Sequence, residues 1–447
     1  MKASKILVAA AIFSFATAGS ALAFHSGGVA ECEGCHTMHN TLGSEGGKNV
    51  PLAKGTGQGA IFLLNGTDQS STCMNCHNVA DTAPNGYHIA SDYGTVPAAG
   101  VAPVQMTPGG DFAWLKKTYT YLVRNAPKTD DGHGHGHDIV AADYGYTGTN
   151  NATAPGSTAG YPQANLACSS CHDPHGKTRR FADGSFANTG LPIFNSGSYN
   201  NSKDPIAGVS AVGAYRILGG AGYLPKSIKD LGLTTLAFGG TVNPPDAIAP
   251  SSYNRSEATG QTHVAYGRGM SEWCANCHDQ MLENAYVSGA VNHRHPAGNA
   301  AKLSAAIVAN YNTYVTSGIM TNADPLKAYS TLAPFELGTG DYTVLKPLGV
   351  NTDTKDQSAT ITSNEMCLSC HRAHACGFPD MARFNLENEF MTIADATNAA
   401  VYDSSTTEGK INLGKNVAEQ TAAYYGRPAT AFGPYARDYC NKCHAKD

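Results

Sequence analysis

The chain repeats Cys-x-x-Cys-His six times: Cys32, Cys35 and His36; Cys73, Cys76 and His77; Cys168, Cys171 and His172; Cys274, Cys277 and His278; Cys367, Cys370 and His371; Cys440, Cys443 and His444. Two thiols with two residues between them can add to the two vinyl groups of one porphyrin, and the histidine that follows then lies under the iron. The spacing predicts six covalently bound haem c groups, with the six motif histidines as proximal iron ligands. Twelve of the 13 cysteines are accounted for. A disulfide framework gives no reason for a histidine after every second cysteine, and zinc sites built on this spacing need further cysteines in matching pairs.

Electron carriers keep haem iron six-coordinate, whereas catalytic haems leave one face open, so the supply of further histidines bears on function. The chain holds 17 histidines, well beyond six proximal ones. His39, His175 and His374 each follow a motif histidine by three residues. Residues at that spacing share a helical face, but the motif histidine already occupies its own iron, so each of the three must reach a different haem. They occur at the first, third and fifth motifs, which predicts a two-haem unit used three times. His88, His137 and His295 stand beside apolar residues or proline and complete the set of six distal candidates. His133 and His135, alternating with glycine in HGHGHD, read as a solvated loop able to take a stray metal; His263 and His293 read as surface residues, and His25 as unligated. Six low-potential bis-histidine haems are the economical outcome, and they argue against a multihaem redox enzyme, which needs an open iron position.

The elements that position these groups must be short. Glycine at 49 and proline at 22 are scattered with Ser, Thr and Asn between brief apolar runs, and the motifs follow no constant period. The expected fold class is a multihaem cytochrome, mostly coil and turns with few short helices and minimal strand, wrapped around a continuous haem chain that serves as its core. Each motif should begin or sit on a short helix. Leu303, Ile307, Tyr311 and Tyr314 trace one helical face and Leu386, Phe390 and Ile393 another, while Thr118 to Val123 alternates as a strand. Cys376 lies outside every motif and reads as a buried thiol, with an intermolecular disulfide as the alternative. The abundant tyrosines read as packing residues.

Residues 1–23 read as an export signal: Lys2 and Lys5, an apolar run from Ile6 to about Ala18, then Ala21-Leu22-Ala23 as a cleavage site. Residues 24–447 form the expected hexahaem domain. The apolar run is shorter than the roughly 20 residues of a membrane span, and no later segment reads as an integral helical span. A formal charge of −5 argues against nucleic acid as a partner.

The strings FHSGGVAECEGCHTMHN, CSSCHDPHGK, GAYRILGG, MSEWCANCH, CLSCHRAHA and NKCHAKD closely resemble the OmcS-type hexahaem cytochromes of metal-reducing bacteria, through nearly the whole mature chain. The resemblance implies a mostly coil fold in an extracellular, head-to-tail homopolymer on the cell's outer surface, its haems alternating between parallel-stacked and T-shaped pairs. It implies electron delivery from an outer-membrane conduit or other cytochromes to extracellular Fe(III) or Mn(IV) oxides or to partner cells. It also makes His39 a ligand in trans, serving the fifth haem of the neighbouring subunit. Extending that step within the chain assigns His374 to the third haem and His175 to the first. The chain departs from the family pattern at Cys376, at HGHGHD and at His293. A monomeric periplasmic or outer-surface shuttle is the alternative.

Overall fold

The computed structural model describes residues 32–36, 64–78, 87–148, 153–158, 160–188, 198–225, 242–250, 256–258, 262–282, 295–313, 328–351 and 357–444. Among them the longest helices have 9 residues, Gln69–His77 and Ala305–Thr313. Among the described residues, strands pair antiparallel into five two-stranded ribbons and one three-stranded sheet. The chain turns too often for longer elements. In the longest ribbon, Tyr119–Val123 pairs with Ala126–Asp130 through Arg124 and Asn125, whose φ of 51° and 64° give the primed turn that matches strand twist.

Every motif meets a short helix: Cys32–Cys35, Gln69–His77, Cys168–Cys171, Met270–Cys274, Cys367–Cys370 and the 3-10 turn Tyr439–Lys442. The apolar interior is divided rather than central. The largest cluster, around Phe112, Trp114, Phe378 and Tyr424, packs against Cys168, Cys370 and Cys443. A second, around Tyr266, Met270 and Met366, packs against Cys274, and a third, around Tyr161, against Cys277. Motif cysteines thus edge three separate apolar clusters, as expected where a large apolar cofactor replaces protein core.

The strand expected from Thr118 to Val123 forms over Tyr119–Val123. The first helical face is realised as Ala305–Thr313, with Tyr311 buried and Leu303 buried just before it; Tyr314 lies outside the described residues. The second is not: Leu386 and Phe390 lie in irregular chain and Ile393 begins the strand Ile393–Ala394. Asn385 and Asn388 explain the difference. Glu387 N–H donates to Asn385 Oδ1 at 2.9 Å, while the two side-chain amides donate to the carbonyls of Lys410, Ile411 and Phe390. These bonds compete with a helical ladder.

Two histidines expected in solvent are enclosed instead. His135 is fully buried, its Nε2 at 2.9 Å from Asp130 Oδ2, on a one-turn helix capped by Asp131. His133 remains partly exposed beside Asp138. No group of three or more metal-ligating side chains occurs among the described residues, here or elsewhere. His263 is buried in strand Thr262–His263, its ring 4.5 Å from that of Tyr329. Cys376 is buried with Sγ donating to Ala382 O at 2.8 Å, which leaves the thiol inside the fold and out of reach of another subunit. His25 and His293, and the signal segment, lie outside the described residues.

Candidate haem sites

The third and fifth motifs are built alike. Each is a single turn whose second inner residue, a serine, turns back: Ser170 Oγ accepts Ala167 N–H at 3.0 Å, and Ser369 Oγ accepts Met366 N–H at 3.1 Å. The helix stops at the second cysteine. His172 and His371 then adopt extended backbone, each with its N–H donating to the first cysteine's carbonyl at 3.0 Å. The second motif lies on a longer helix capped by Asp68, which accepts Ser71 N–H. Asp438 caps the sixth motif, accepting Cys440 N–H at 2.9 Å. No described motif cysteine is joined in a disulfide.

Three motif histidines face three histidines from elsewhere in the chain. His172 faces His374 with ring centroids 6.3 Å apart, His278 faces His137 at 6.1 Å, and His444 faces His295 at 5.8 Å. Metal–imidazole bonds of about 2.0 Å put two imidazoles on opposite sides of one metal at a centroid separation of about 6 Å. The donor spacing therefore fits an axial pair.

In five of the candidate rings the second nitrogen is already committed. Nδ1 donates to a backbone carbonyl in His77 (Tyr87 O, 2.6 Å), His172 (Arg216 O, 2.8 Å), His278 (Pro155 O, 2.7 Å), His371 (Asp380 O, 2.7 Å) and His137 (Ala373 O, 2.7 Å). A carbonyl only accepts, so Nδ1 carries the proton and Nε2 keeps its lone pair for metal. Burial reinforces this, holding His137 down to about 4 and His374 down to about 3, and lowering His77 and His172 as well. His295 differs: its Nδ1 lies 2.8 Å from Glu365 Oε2, and that contact raises its pKa to about 9.

His137 and His374 are also locked to each other. His137 N–H donates to His374 O at 2.8 Å, His374 N–H to Gly109 O at 2.8 Å, and Cys376 N–H to His135 O at 3.0 Å. Glycines make the crossing possible: a Cβ on Gly109 would meet His374 Nδ1 at 2.6 Å, and one on Gly136 would meet His374 O at 2.4 Å. Phe112 stacks on the His374 ring at 4.8 Å.

His88 lies within electrostatic reach of His77, with Tyr87 in ring contact with both, at 4.3 Å and 6.0 Å. His175 is exposed on the turn after its motif, its N–H bound to Asp173 Oδ1 at 2.9 Å. His36 bridges to Leu64. His39 and the side chain of Cys32 lie outside the described residues.

The attachment sites run in sequence order. Cys73 shares a hydrogen bond with Cys168 and also feels the charge of Cys35. Burial and then Cys277 push up the Cys171 thiol, and Cys274 shares a hydrogen bond with Cys367. Cys370 is pushed up by burial, then by Glu365, then by Cys440 and Cys443. The second-to-third and fourth-to-fifth junctions repeat one detail: Cys168 N–H donates to Ser70 Oγ and Cys367 N–H to Ser271 Oγ, both at 3.0 Å. Each serine lies three residues before the first cysteine of its own motif.

Beside these sites are buried cations with donors to spare. Arg372 and Arg383 share Glu257 Oε2 at 2.7 and 3.1 Å. Arg372 Nε and Nη2, Arg383 Nη2 and Arg216 Nη2 are buried without a partner in the protein. Buried guanidinium donors call for carboxylates, and each haem brings two propionates, so cysteines, facing imidazoles and spare donors together fit haem c. Sequence reading missed these arginines and Glu365; only the position of Arg372, directly after His371, signals a role.

No protein-family model matches the chain. C-type cytochrome OmcS of Geobacter sulfurreducens is 56% identical over 449 residues, which span 100% of this chain and 99% of that one. Two solved structures, of the OmcS nanowires and of the Outer Membrane Cytochrome S filament from Geobacter sulfurreducens, match with a TM-score of 0.82 and 55% identity, over 95% of this chain and 100% of theirs. Similar to that cytochrome from end to end, the chain belongs to the OmcS family of c-type cytochromes and carries covalently bound haem c.

Proposed function

We propose that the chain holds six haems in sequence order and, as a head-to-tail homopolymer outside the cell, conducts electrons from an outer-membrane conduit or other cytochromes to extracellular Fe(III) or Mn(IV) oxides or to partner cells. The observation that carries this reading is the unbroken order of the attachment sites, each thiol pair interacting with the next from Cys35 to Cys443. The nanowire and filament assemblies of the similar cytochrome support the polymer.

In this reading residues 1–23 are removed on export, and residues 24–447 act as one electron-transfer unit rather than an enzyme. His36, His77, His172, His278, His371 and His444 are the proximal ligands. The distal ligands, from first haem to sixth, are His175, His88, His374, His137, the partner subunit's His39, and His295. The facing rings support three of these pairs, and the proximity of His88 to His77 supports a fourth. Bound haem supplies a one-electron couple. The chain fixes the Nδ1 protons of His77, His137, His172, His278 and His371 on backbone carbonyls, keeps His77, His137, His172 and His374 neutral by burial, and holds neighbouring sites together through Ser70 and Ser271. A contact in which each subunit lends a ligand to the next is heterologous and builds open filaments when its rotation does not close.

His39→Ala tests the polymer. The variant should keep six covalent haems by mass, lose filaments, and show one haem converted from low to high spin. Normal filaments would refute ligation in trans. Monomers in a preparation of the parent protein that preserves extracellular fibres would favour a shuttle.

A further inference from the structure

The contact that separates His295 from the other ligand candidates is its carboxylate. Five described rings give Nδ1–H to a backbone carbonyl. His295 gives it to Glu365 Oε2 at 2.8 Å, nearer than the carbonyl of Pro296 at 3.0 Å. The pairing is held from both sides. Gly298 N–H donates to Glu365 O at 2.9 Å, tying the 295–300 loop to the segment before the fifth motif. Gly298 itself has φ 105°, and a Cβ there would meet Glu272 Oε1 at 2.8 Å. The other carboxylate oxygen of Glu365 lies 3.5 Å from Cys370 Sγ of the fifth motif, and its charge reaches Cys440 and Cys443 of the sixth. One partly enclosed carboxylate therefore stands at the junction of the last two haem sites.

We infer that Glu365 is a positioning residue that lowers the reduction potential of the sixth haem relative to the rest of the chain. This rests on the reading of His295 as that haem's distal ligand. A carboxylate on Nδ1 draws the proton toward itself and makes Nε2 a stronger donor, and a stronger donor favours ferric over ferrous iron. The negative charge near the thioether carbons acts in the same direction. A neutral carbonyl, as at His137 or His172, does neither to the same degree. Each subunit then ends on a step at which electrons dwell least, so hopping onto the sixth haem is uphill and hopping off it downhill.

The test is spectroelectrochemical titration of the intact holoprotein and its Glu365→Gln variant, with haem content checked by mass. Glu365→Gln should shift the equilibrium for reducing one haem about tenfold toward the ferrous form, about 59 mV for one electron, with a smaller rise at the haem on Cys370 and the other four midpoints unmoved. Superimposable titrations, or a uniform shift of all six midpoints, would overturn the inference. If Glu365→Gln does not load six haems, Glu365→Asp, which withdraws the carboxylate from Nδ1, should raise the same midpoint by a smaller amount; no shift would again overturn it. His295→Ala separates the two layers. A high-spin haem in His295→Ala with an unmoved midpoint in Glu365→Gln defeats the tuning alone. Six low-spin haems in His295→Ala defeat the ligand reading and the inference with it.

Discussion

Gly110→Ala should disturb the third haem site without touching a ligand. Gly110 has φ 98°, where an L-residue costs about 1–2 kcal/mol. An added Cβ would stand 1.9 Å from Ala375 O and 2.9 Å from Ala375 C. Both are backbone atoms, so relief requires moving the chain at residues 374–376 rather than rotating a side chain. Overpacking of this kind costs about 1–3 kcal/mol, for a combined loss of roughly 2–5 kcal/mol. Asp111 N–H donates to Ala375 O at 2.9 Å, and His374 N–H to Gly109 O at 2.8 Å, so the displacement passes directly to the His374 imidazole facing His172. Guanidinium unfolding followed by the Soret band should show a lower midpoint, and electron paramagnetic resonance should show a high-spin signal from one haem in the ferric protein. Gly134→Ala is the control, because a Cβ there meets nothing within 4 Å. Two variants indistinguishable in midpoint and spin state would show that the Gly110 contact does not position His374.

Three further outcomes follow from the site. Glu257→Gln leaves the buried Arg372 and Arg383 without their shared carboxylate and should cost about 3–5 kcal/mol by denaturant titration; a loss below 1 kcal/mol would show that other anions neutralise the pair. His137→Ala and His374→Ala should each convert one different haem to high spin, and the double variant two, read by resonance Raman spectroscopy; a shared spectral change would mean that both serve one site. Cys376→Ala should retain six haems by mass and migrate on non-reducing gels as the parent does, whereas loss of a disulfide-linked species would contradict the buried position of Sγ.

The attachment chemistry was legible because it is local: two thiols and a histidine must sit within one turn of chain. The same locality made the short motif helices and the Tyr119–Val123 strand readable. Position in space was harder. His137 and His295 stand beside apolar residues or proline in sequence, but what orients them is Ala373 O, far along the chain, and Glu365. Alternation with glycine made His135 look solvated, yet Asp130 and Lys415 draw it into a buried polar cluster. Periodicity at Leu386, Phe390 and Ile393 failed because periodicity registers apolar spacing and not the asparagine side chains that capture the backbone. Arg372 and Arg383, fully buried, have no apolar pattern at all; they become intelligible only beside an anionic cofactor.

In the proposed filament one chain's haem sites continue into the next. Cryo-electron microscopy of native filaments sheared from cells tests it most directly. The expected result is micrometre-scale fibres with six haems per subunit, haem density continuous across the boundary, and His39 of each subunit on the fifth haem of its neighbour. Discrete monomers, or fibres in which His39 stays within its own subunit and haem density breaks at the boundary, would contradict it.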